Sequence, residues 1–288
     1  MDIFDEIGQL KREGKRAALA TIVNVRGSIP SVVAAKMLVR EDGSISGTVG
    51  GGCVESDVRK GAMEVMRNGK PKTFDFNLDQ RPDDDTGLVC GGSLQVFIEP
   101  ILPLPRLYIF GGGHIGLHLH KVATMAGFET IVSDDRDLYA NRERFPDAYE
   151  IHSGEMSEVM AGLSPSDDSY IVIVTRGHRH DMQVLRWALD TGAHYIGMIG
   201  SGRKVLTIFQ ELEAEGIPAE SLRPVFAPIG LDIGATNPEE IAISIVAELI
   251  AIRRGCDIAL PHARNRIRDT NEDGAAAPVA ATQISTQR

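Results

Sequence analysis

Apolar positions first recur at helical spacing at Ile3, Phe4, Ile7 and Leu10, and Gly14 closes that pattern. Ala17 to Val25 is a nearly continuous apolar run and predicts a buried strand. Lys36 to Arg40 and Ser44 to Thr48 flank the acidic turn Glu41-Asp42-Gly43, which predicts a hairpin. After Gly50-Gly51-Gly52, the residues Val54, Val58, Ala62, Val65 and Met66 share one helical face, and Gly69 ends the helix. Lys72 to Leu78 alternates as a strand does, Asp79 to Asp85 is an acidic loop, and Leu94 to Ile98 is a further strand.

Three prolines in Glu99-Pro100-Ile101-Leu102-Pro103-Leu104-Pro105 mark a stiff connector, which bounds a first domain at 1–98 and a linker at 99–105. From Arg106 the texture changes. Strands are expected at Leu107 to Phe110, Thr130 to Ser133, Tyr170 to Thr175, His194 to Ile199 and Pro224 to Ala227. Helices at 114–126, 180–191, 202–215 and 238–254 separate them. Such alternation predicts a parallel, doubly wound α/β sheet over 106–260. Asn237, Pro238 and Glu240 have the spacing of a capped helix start, and Arg253-Arg254-Gly255 that of a helix end. The stretch 261–288 is rich in Ala, Thr, Gln and Ser and is expected to be a disordered tail, because it has too little apolar surface to offset its ordering entropy.

The 288 residues suffice for two ordinary domains, and 43% hydrophobic residues suffice for their cores. Forty acidic against 30 basic residues give a net charge of −10. Without a basic excess the chain is not expected to bind nucleic acid or an anionic membrane. The start, MDIFDEIGQLKREGK, sets acids among the apolar residues and predicts no secretory signal. The apolar stretch Ile241 to Ile252 is interrupted by Ser244 and Glu248 and is too short for a bilayer. Cys53, Cys90 and Cys256 are odd in number and widely spaced, which points to a reducing cytoplasm rather than a disulfide framework.

Six segments carry candidate chemistry. Gly111-Gly112-Gly113-His114-Ile115-Gly116 follows a predicted strand and fits G-x-G-x-x-G. Gly111 would permit the tight turn, Gly113 the approach of a pyrophosphate, and Gly116 the packing of helix on sheet, with the helix start donating N–H groups to phosphate. Asp134 and Asp135 fall about where an acid would meet a ribose hydroxyl. A Rossmann turn that binds nothing would have the same pattern. Gly50-Gly51-Gly52-Cys53-Val54-Glu55 would place Cys53 at a helix start, where the dipole favours a thiolate, a soft ligand and nucleophile. The alternative is a small cysteine packed in a tight turn. Cys90-Gly91-Gly92 repeats the pairing of cysteine with small residues and has the same alternative.

Thr175-Arg176-Gly177-His178-Arg179-His180-Asp181 lies at the carboxyl end of a predicted strand. There Arg176 would meet phosphate, and His178 or Asp181 would act as acid, base or metal ligand. Alternatively, Asp181 caps the next helix and its neighbours are solvated. Gly200-Ser201-Gly202-Arg203-Lys204 sets cations in a first helical turn, opposing the dipole unless an anion binds. Pro228 to Gly234 is a sixth glycine-containing loop. No G-x-S-x-G elbow, Walker lysine loop, H-E-x-x-H or CxxC is present, which reduces the case for a hydrolase, an NTPase or a zinc protein.

Taken jointly these segments resemble the XdhC/CoxI family, accessory proteins of molybdenum hydroxylases such as xanthine dehydrogenase. The resemblance is carried by Ala35 to Val39, Gly50 to Glu55, Cys90-Gly91-Gly92 before Val96 to Pro100, Phe110 to Gly116, Thr175 to His178, Ile199 to Ser201, Pro228 to Gly234 and Pro238 to Ala242. It implies an N-terminal α+β domain of XdhC/CoxI type followed by a Rossmann-like domain. It further implies binding of molybdenum cofactor (molybdopterin), its sulfuration with a cysteine desulfurase, delivery to an apo molybdenum hydroxylase, and a homodimeric, cytoplasmic protein that is a chaperone more than a turnover enzyme. On that basis Cys53, Glu55 and His178 are the candidate reactive residues, and Cys53 and Cys90 the candidate metal ligands. Gly50, Gly51, Gly52, Cys53, Gly111, Gly113, His114, Gly116, Asp134, Arg176 and Ser201 are the candidate cofactor-binding residues. The connector is expected to let the two half-sites face one another. Many relatives are expected to carry Ser at position 50.

Two other functions compete. An NAD(P)-dependent oxidoreductase would explain Gly111 to Gly116 and Asp134, with His178 as acid or base, but leaves Gly50 to Cys53 unused. A nucleotide-sensing interaction module would bind nucleotide whether or not Cys53 is present.

Overall fold

The computed structural model describes residues 2–28, 32–77 and 91–256, and the side chain of Cys53 lies outside that description. The chain divides between Leu104 and Pro105 into two compact units, and no helix among the described residues is long and apolar enough to cross a membrane.

The first unit contains α1 (Ile3–Arg12), β1 (Ala17–Ser28), β2 (Lys36–Arg40), β3 (Ile45–Gly47), α2 (Gly52–Asn68), β4 (Lys72–Asn77) and β5 (Gly91–Ile101). The strands form one antiparallel sheet in the order β3-β2-β1-β5-β4. The β2–β3 hairpin turns at Gly43, whose φ of 79° suits glycine and whose N–H donates to the Arg40 carbonyl at 2.9 Å. Val54, Val58, Ala62, Val65 and Met66 of α2 pack on Ala18, Ala20, Ile22, Met37, Val39, Leu94, Val96 and Ile98. Gly69 ends α2 in the left-handed region. On the other face, Ile3, Ile7 and Leu10 of α1 cover Ala17, Leu19, Leu38 and Ile101. Phe4, expected on that stripe, is instead exposed on the flank of the helix.

The predicted connector is shorter than its prolines suggest. Strand β5 runs through Glu99, Pro100 and Ile101, which pair with Leu19, Ala18 and Ala17. Pairing with β4 ends at Ile98, so Pro100 lies where β5 has one open edge and a missing N–H is tolerated. The expected acidic loop at 79–85, Cys90 and the tail at 261–288 lie outside the described residues.

The second unit contains β6 (Arg106–Phe110), α3 (His114–Met125), β7 (Glu129–Asp134), β8 (Glu150–Ser153), α4 (Met156–Gly162), β9 (Tyr170–Ile173), α5 (His178–Leu189), β10 (Tyr195–Met198), α6 (Gly202–Ala214), α7 (Ala219–Leu222) and α8 (Pro238–Arg253). Its five strands are parallel, in the order β10-β9-β6-β7-β8. This is the doubly wound arrangement that sequence alternation predicts. One face of the sheet packs Leu107, Ile109, Val132 and Val172 against Leu119 and Ala123 of α3 and Ile245 and Leu249 of α8. The other packs Tyr108, Phe110, Ile131 and Ile171 against Met160, Val184, Leu185, Val205 and Ile208.

Two expectations change. Pro224 to Ala227 is not a full strand, because only Phe226 bridges Gly197 before Pro228 removes a donor. Strand β8 and helices α4 and α7 are additional to the expected elements; β8 is an edge strand with a single apolar residue, Ile151, and α7 spans only four residues.

Candidate functional site

In the strand order, β6 leads to β7 on one side and lies beside β9 on the other, so the connections after β6 and β9 leave toward opposite faces. The carboxyl ends of these two strands therefore bound the crevice where open α/β sheets take ligands. The Gly111–Gly113 loop lies there, and its glycines have different reasons to be glycine. At Gly111 the φ is 119°, and a Cβ would stand 2.3 Å from the Val174 carbonyl oxygen. At Gly112 a Cβ would stand 2.2 Å from the Tyr139 carbonyl oxygen, and at Gly116 it would stand 1.9 Å from the Gly111 carbonyl oxygen. The fold itself requires these three.

Gly113 differs from the other three. It is the residue before α3 with φ −66°, a value any residue adopts, and a Cβ there would meet nothing within 4 Å. The N-cap residue, Gly113, has no side chain to cap α3, so the positive end of the helix dipole lies beside that open space.

Asp134 sits beneath the loop, 3% exposed. Its Oδ2 accepts from Gly112 N–H at 2.8 Å and Arg136 Nη2 at 3.1 Å, and its Oδ1 accepts from Arg136 N–H at 3.1 Å and Arg136 Nε at 2.8 Å. Burial pushes its carboxyl upward, but the Arg136 guanidinium and the Gly112 N–H outweigh burial and hold it below the usual carboxylate range. A carboxylate offers about four acceptor positions, and here all are taken. Asp134 therefore ties the glycine loop to β7 and is not poised to read a ribose hydroxyl.

Around it stand three residues that sequence reasoning missed, Arg136, Tyr139 and Arg144, and a pairing between two that it named, Asp135 and Arg176. Arg136 stacks on the Tyr139 ring at 3.7 Å, and Arg144 Nη2 donates to the Gly112 carbonyl at 3.1 Å. Asp135 accepts from Arg176 Nη2 at 2.5 Å. The run Asp134-Asp135-Arg136 is visible after a strand, but nothing in the sequence signals that Arg144 folds back over 32 residues.

At the end of β9, Thr175 Oγ1 donates to Asp181 Oδ1 at 2.6 Å, and Lys204 Nζ pairs with Asp181 Oδ2. Asp181 is fully buried, and it does not cap α5, whose first turn starts at His178 after Gly177. The anion that Lys204 needs in the first turn of α6 is thus Asp181 itself. Ser201 caps α6, accepting from Lys204 N–H at 3.3 Å. His114 and His178 are exposed first residues of α3 and α5. The structure thus gathers Gly111, Gly113, His114, Gly116, Asp134, Arg176, His178 and Ser201 at the carboxyl ends of the strands.

In the first unit, Gly50, Gly51 and Gly52 have φ of 122°, 80° and 59°, so the bend before α2 requires glycine. Added Cβ atoms at Gly51 and Gly52 would meet nothing within 4 Å. Glu55 Oε1 accepts from Thr48 Oγ1 at 2.5 Å and from Gly51 N–H at 3.2 Å. Glu55 thereby braces the bend. Cys53 is the second residue of α2, whose N-cap residue, Gly51, has no side chain to cap it. Among the described residues no group of three or more His, Cys, Asp or Glu side chains could hold a metal ion.

Comparison with known proteins agrees with this architecture. Residues 10–77 match the XdhC and CoxI family, and residues 107–249 match the XdhC Rossmann domain. The uncharacterized protein YqeB of Escherichia coli is 34% identical over 88% of this chain, which spans about half, 46%, of that relative's length. A Bacillus subtilis protein described as one of the probable subunits of xanthine dehydrogenase is 25% identical over 85% of this chain and 96% of its own. The molybdenum cofactor insertion chaperone PaoD of Escherichia coli is 26% identical over 83% of this chain and 84% of its own. A crystal structure described as a xanthine dehydrogenase from Bacillus halodurans superposes with a TM-score of 0.51 at 25% identity, covering 90% of this chain and 98% of that one. With its N-terminal sheet matched by one family signature and its parallel sheet by the other, the chain belongs to the XdhC/CoxI family.

Proposed function

We propose that this chain binds molybdenum cofactor as cargo, supports its sulfuration with a cysteine desulfurase, and hands it to an apo-hydroxylase of the xanthine dehydrogenase type. The observation that carries the reading is Gly113, the one glycine of its motif that no internal contact requires, set at an uncapped helix start. A missing side chain with open space beside it suits a ligand phosphate approaching backbone N–H groups. In the first unit, Cys53 follows the left-handed bend at Gly50 to Gly52 as the second residue of α2, and a cysteine in the first turn of a helix is the soft ligand and nucleophile this reading needs. The likeness to the insertion chaperone PaoD supports molybdenum cofactor as the cargo. His114, His178 and Ser201 would line the rim. For the oxidoreductase alternative, Asp134 is fully engaged and Asp135 alone is left as the acid that could meet a ribose hydroxyl.

The test is metal and pterin analysis of protein purified without oxygen from cells that make the cofactor. Cys53→Ser is expected to lower retained molybdenum by about tenfold, the scale of a disturbed ligand sphere, with an unchanged urea midpoint. Equal molybdenum in wild type and variant, together with full activation of an apo-hydroxylase, would refute the role given to Cys53.

A further inference from the structure

Asp135 follows the last residue of β7 and Arg176 lies just beyond β9, and these strands flank β6 on its two sides. Neighbouring strands lie about 4.8 Å apart, so β7 and β9 are separated by about 10 Å with β6 between them. The Arg176 guanidinium nevertheless meets Asp135 Oδ2 at 2.5 Å, so the pair closes over the carboxyl end of β6, where the glycine loop begins. We infer that Arg176 is the side-chain anion receptor of this crevice and that Asp135 occupies it in place of a ligand phosphate, which exchanges with Asp135 on binding. The inference rests on reading the crevice as a phosphate site and adds the group that recognises the phosphate and the group that competes for it.

Three observations support exchange over a permanent bridge. The Arg176 side chain is 51% exposed and that of Asp135 22%, and a partly exposed pair of this kind favours its closed form by only about fivefold or less. Asp135 has a second cation beside it, Arg136 Nε at 3.7 Å, which keeps its charge compensated when Arg176 leaves. Asp134, by contrast, is fixed by four hydrogen bonds, so the carboxylates at the end of β7 divide into one that anchors the loop and one that is released. The ligand class is a phosphate monoester, whose double charge and three acceptor oxygens suit the guanidinium fork and the α3 N–H groups together. A pterin phosphate and a nucleotide both carry this group.

The experiment is calorimetric titration of the full chain with inorganic phosphate, adenosine 5′-monophosphate and a pterin phosphate monoester. Asp135→Asn is expected to tighten binding about two- to fivefold with each, because the competitor is gone. Arg176→Gln is expected to weaken it about tenfold, and the double variant should match Arg176→Gln, because the gain acts only through Arg176. Whichever ester outbinds inorganic phosphate identifies the source. Unchanged or weaker binding by Asp135→Asn overturns the inference. A gain that persists without Arg176 also overturns it, since that would be general charge repulsion. None of the probes carries molybdenum. A protein that shows this pattern but retains no molybdenum cofactor would therefore lose the cargo reading and keep the exchange, and the reverse result would separate them equally.

Discussion

Removing the cation from the buried Asp181 pair is the sharpest test of how the second unit holds the carboxyl edge of its sheet. Asp181 is fully buried on α5, with one oxygen taken by the Thr175 hydroxyl and the other by Lys204 from the first turn of α6. Lys204→Met keeps most of the apolar stem and leaves a carboxylate with one neutral donor. Breaking a buried pair by deleting one partner costs about 3–5 kcal/mol. Because the Lys204 side chain is 30% exposed and water can enter its place, the low end, about 3 kcal/mol, is expected. For a unit of this size each kcal/mol moves the melting temperature about 2–4 °C, so a fall of about 6–12 °C should follow. Asp181→Asn still accepts from Thr175 and lets Lys204 reach water, so about 1 kcal/mol is expected. The double variant buries no charge and should be more stable than Lys204→Met alone. Trp187, the chain's single tryptophan, packs edge-on against Phe110 at 5.4 Å and reports urea unfolding of this unit selectively. A Lys204→Met loss under about 0.5 kcal/mol, or a double variant less stable than that single variant, would refute the reasoning.

The remaining predictions separate folding from binding. Gly116→Ala, whose Cβ would stand 1.9 Å from a carbonyl oxygen, should cost about 3 kcal/mol or more in urea unfolding. Gly113→Ala should cost about 1 kcal/mol or less, yet weaken phosphate binding about tenfold by calorimetry, because its Cβ fills only the ligand's space. Glu248 is buried, with its Oε1 accepting from Tyr195 Oη at 2.5 Å and Gly230 N–H at 3.1 Å, and burial pushes its pKa above the usual carboxylate range despite those bonds. A raised folded-state pKa gives stability that is complete below the unfolded value, about 4.3, and is lost as pH rises through the folded value. Unfolding free energy should therefore fall as pH rises above that range, and Glu248→Gln should flatten the profile measured by urea titration across it.

The fold is largely legible in the sequence, because it rests on periodicity. The alternation of apolar runs and amphipathic helices from Leu107 to Arg253 specifies a parallel doubly wound sheet, and the face Val54, Val58, Ala62, Val65 and Met66 specifies how α2 packs. Glycine motifs locate the turns at the carboxyl edge of the parallel sheet, since a left-handed bend or a close backbone approach leaves a residue-type signature. What periodicity does not encode is which polar group meets which. Asp134 and Asp135 are adjacent in sequence and chemically identical, yet one is buried under the glycine loop and the other reaches Arg176, 41 residues away. Asp181 reads as an acid, base or metal ligand or as a helix cap, until α6 brings Lys204 across 23 residues to its buried carboxylate. Side-chain pairing depends on strand order and on the direction each loop leaves the sheet, and only the folded chain fixes both.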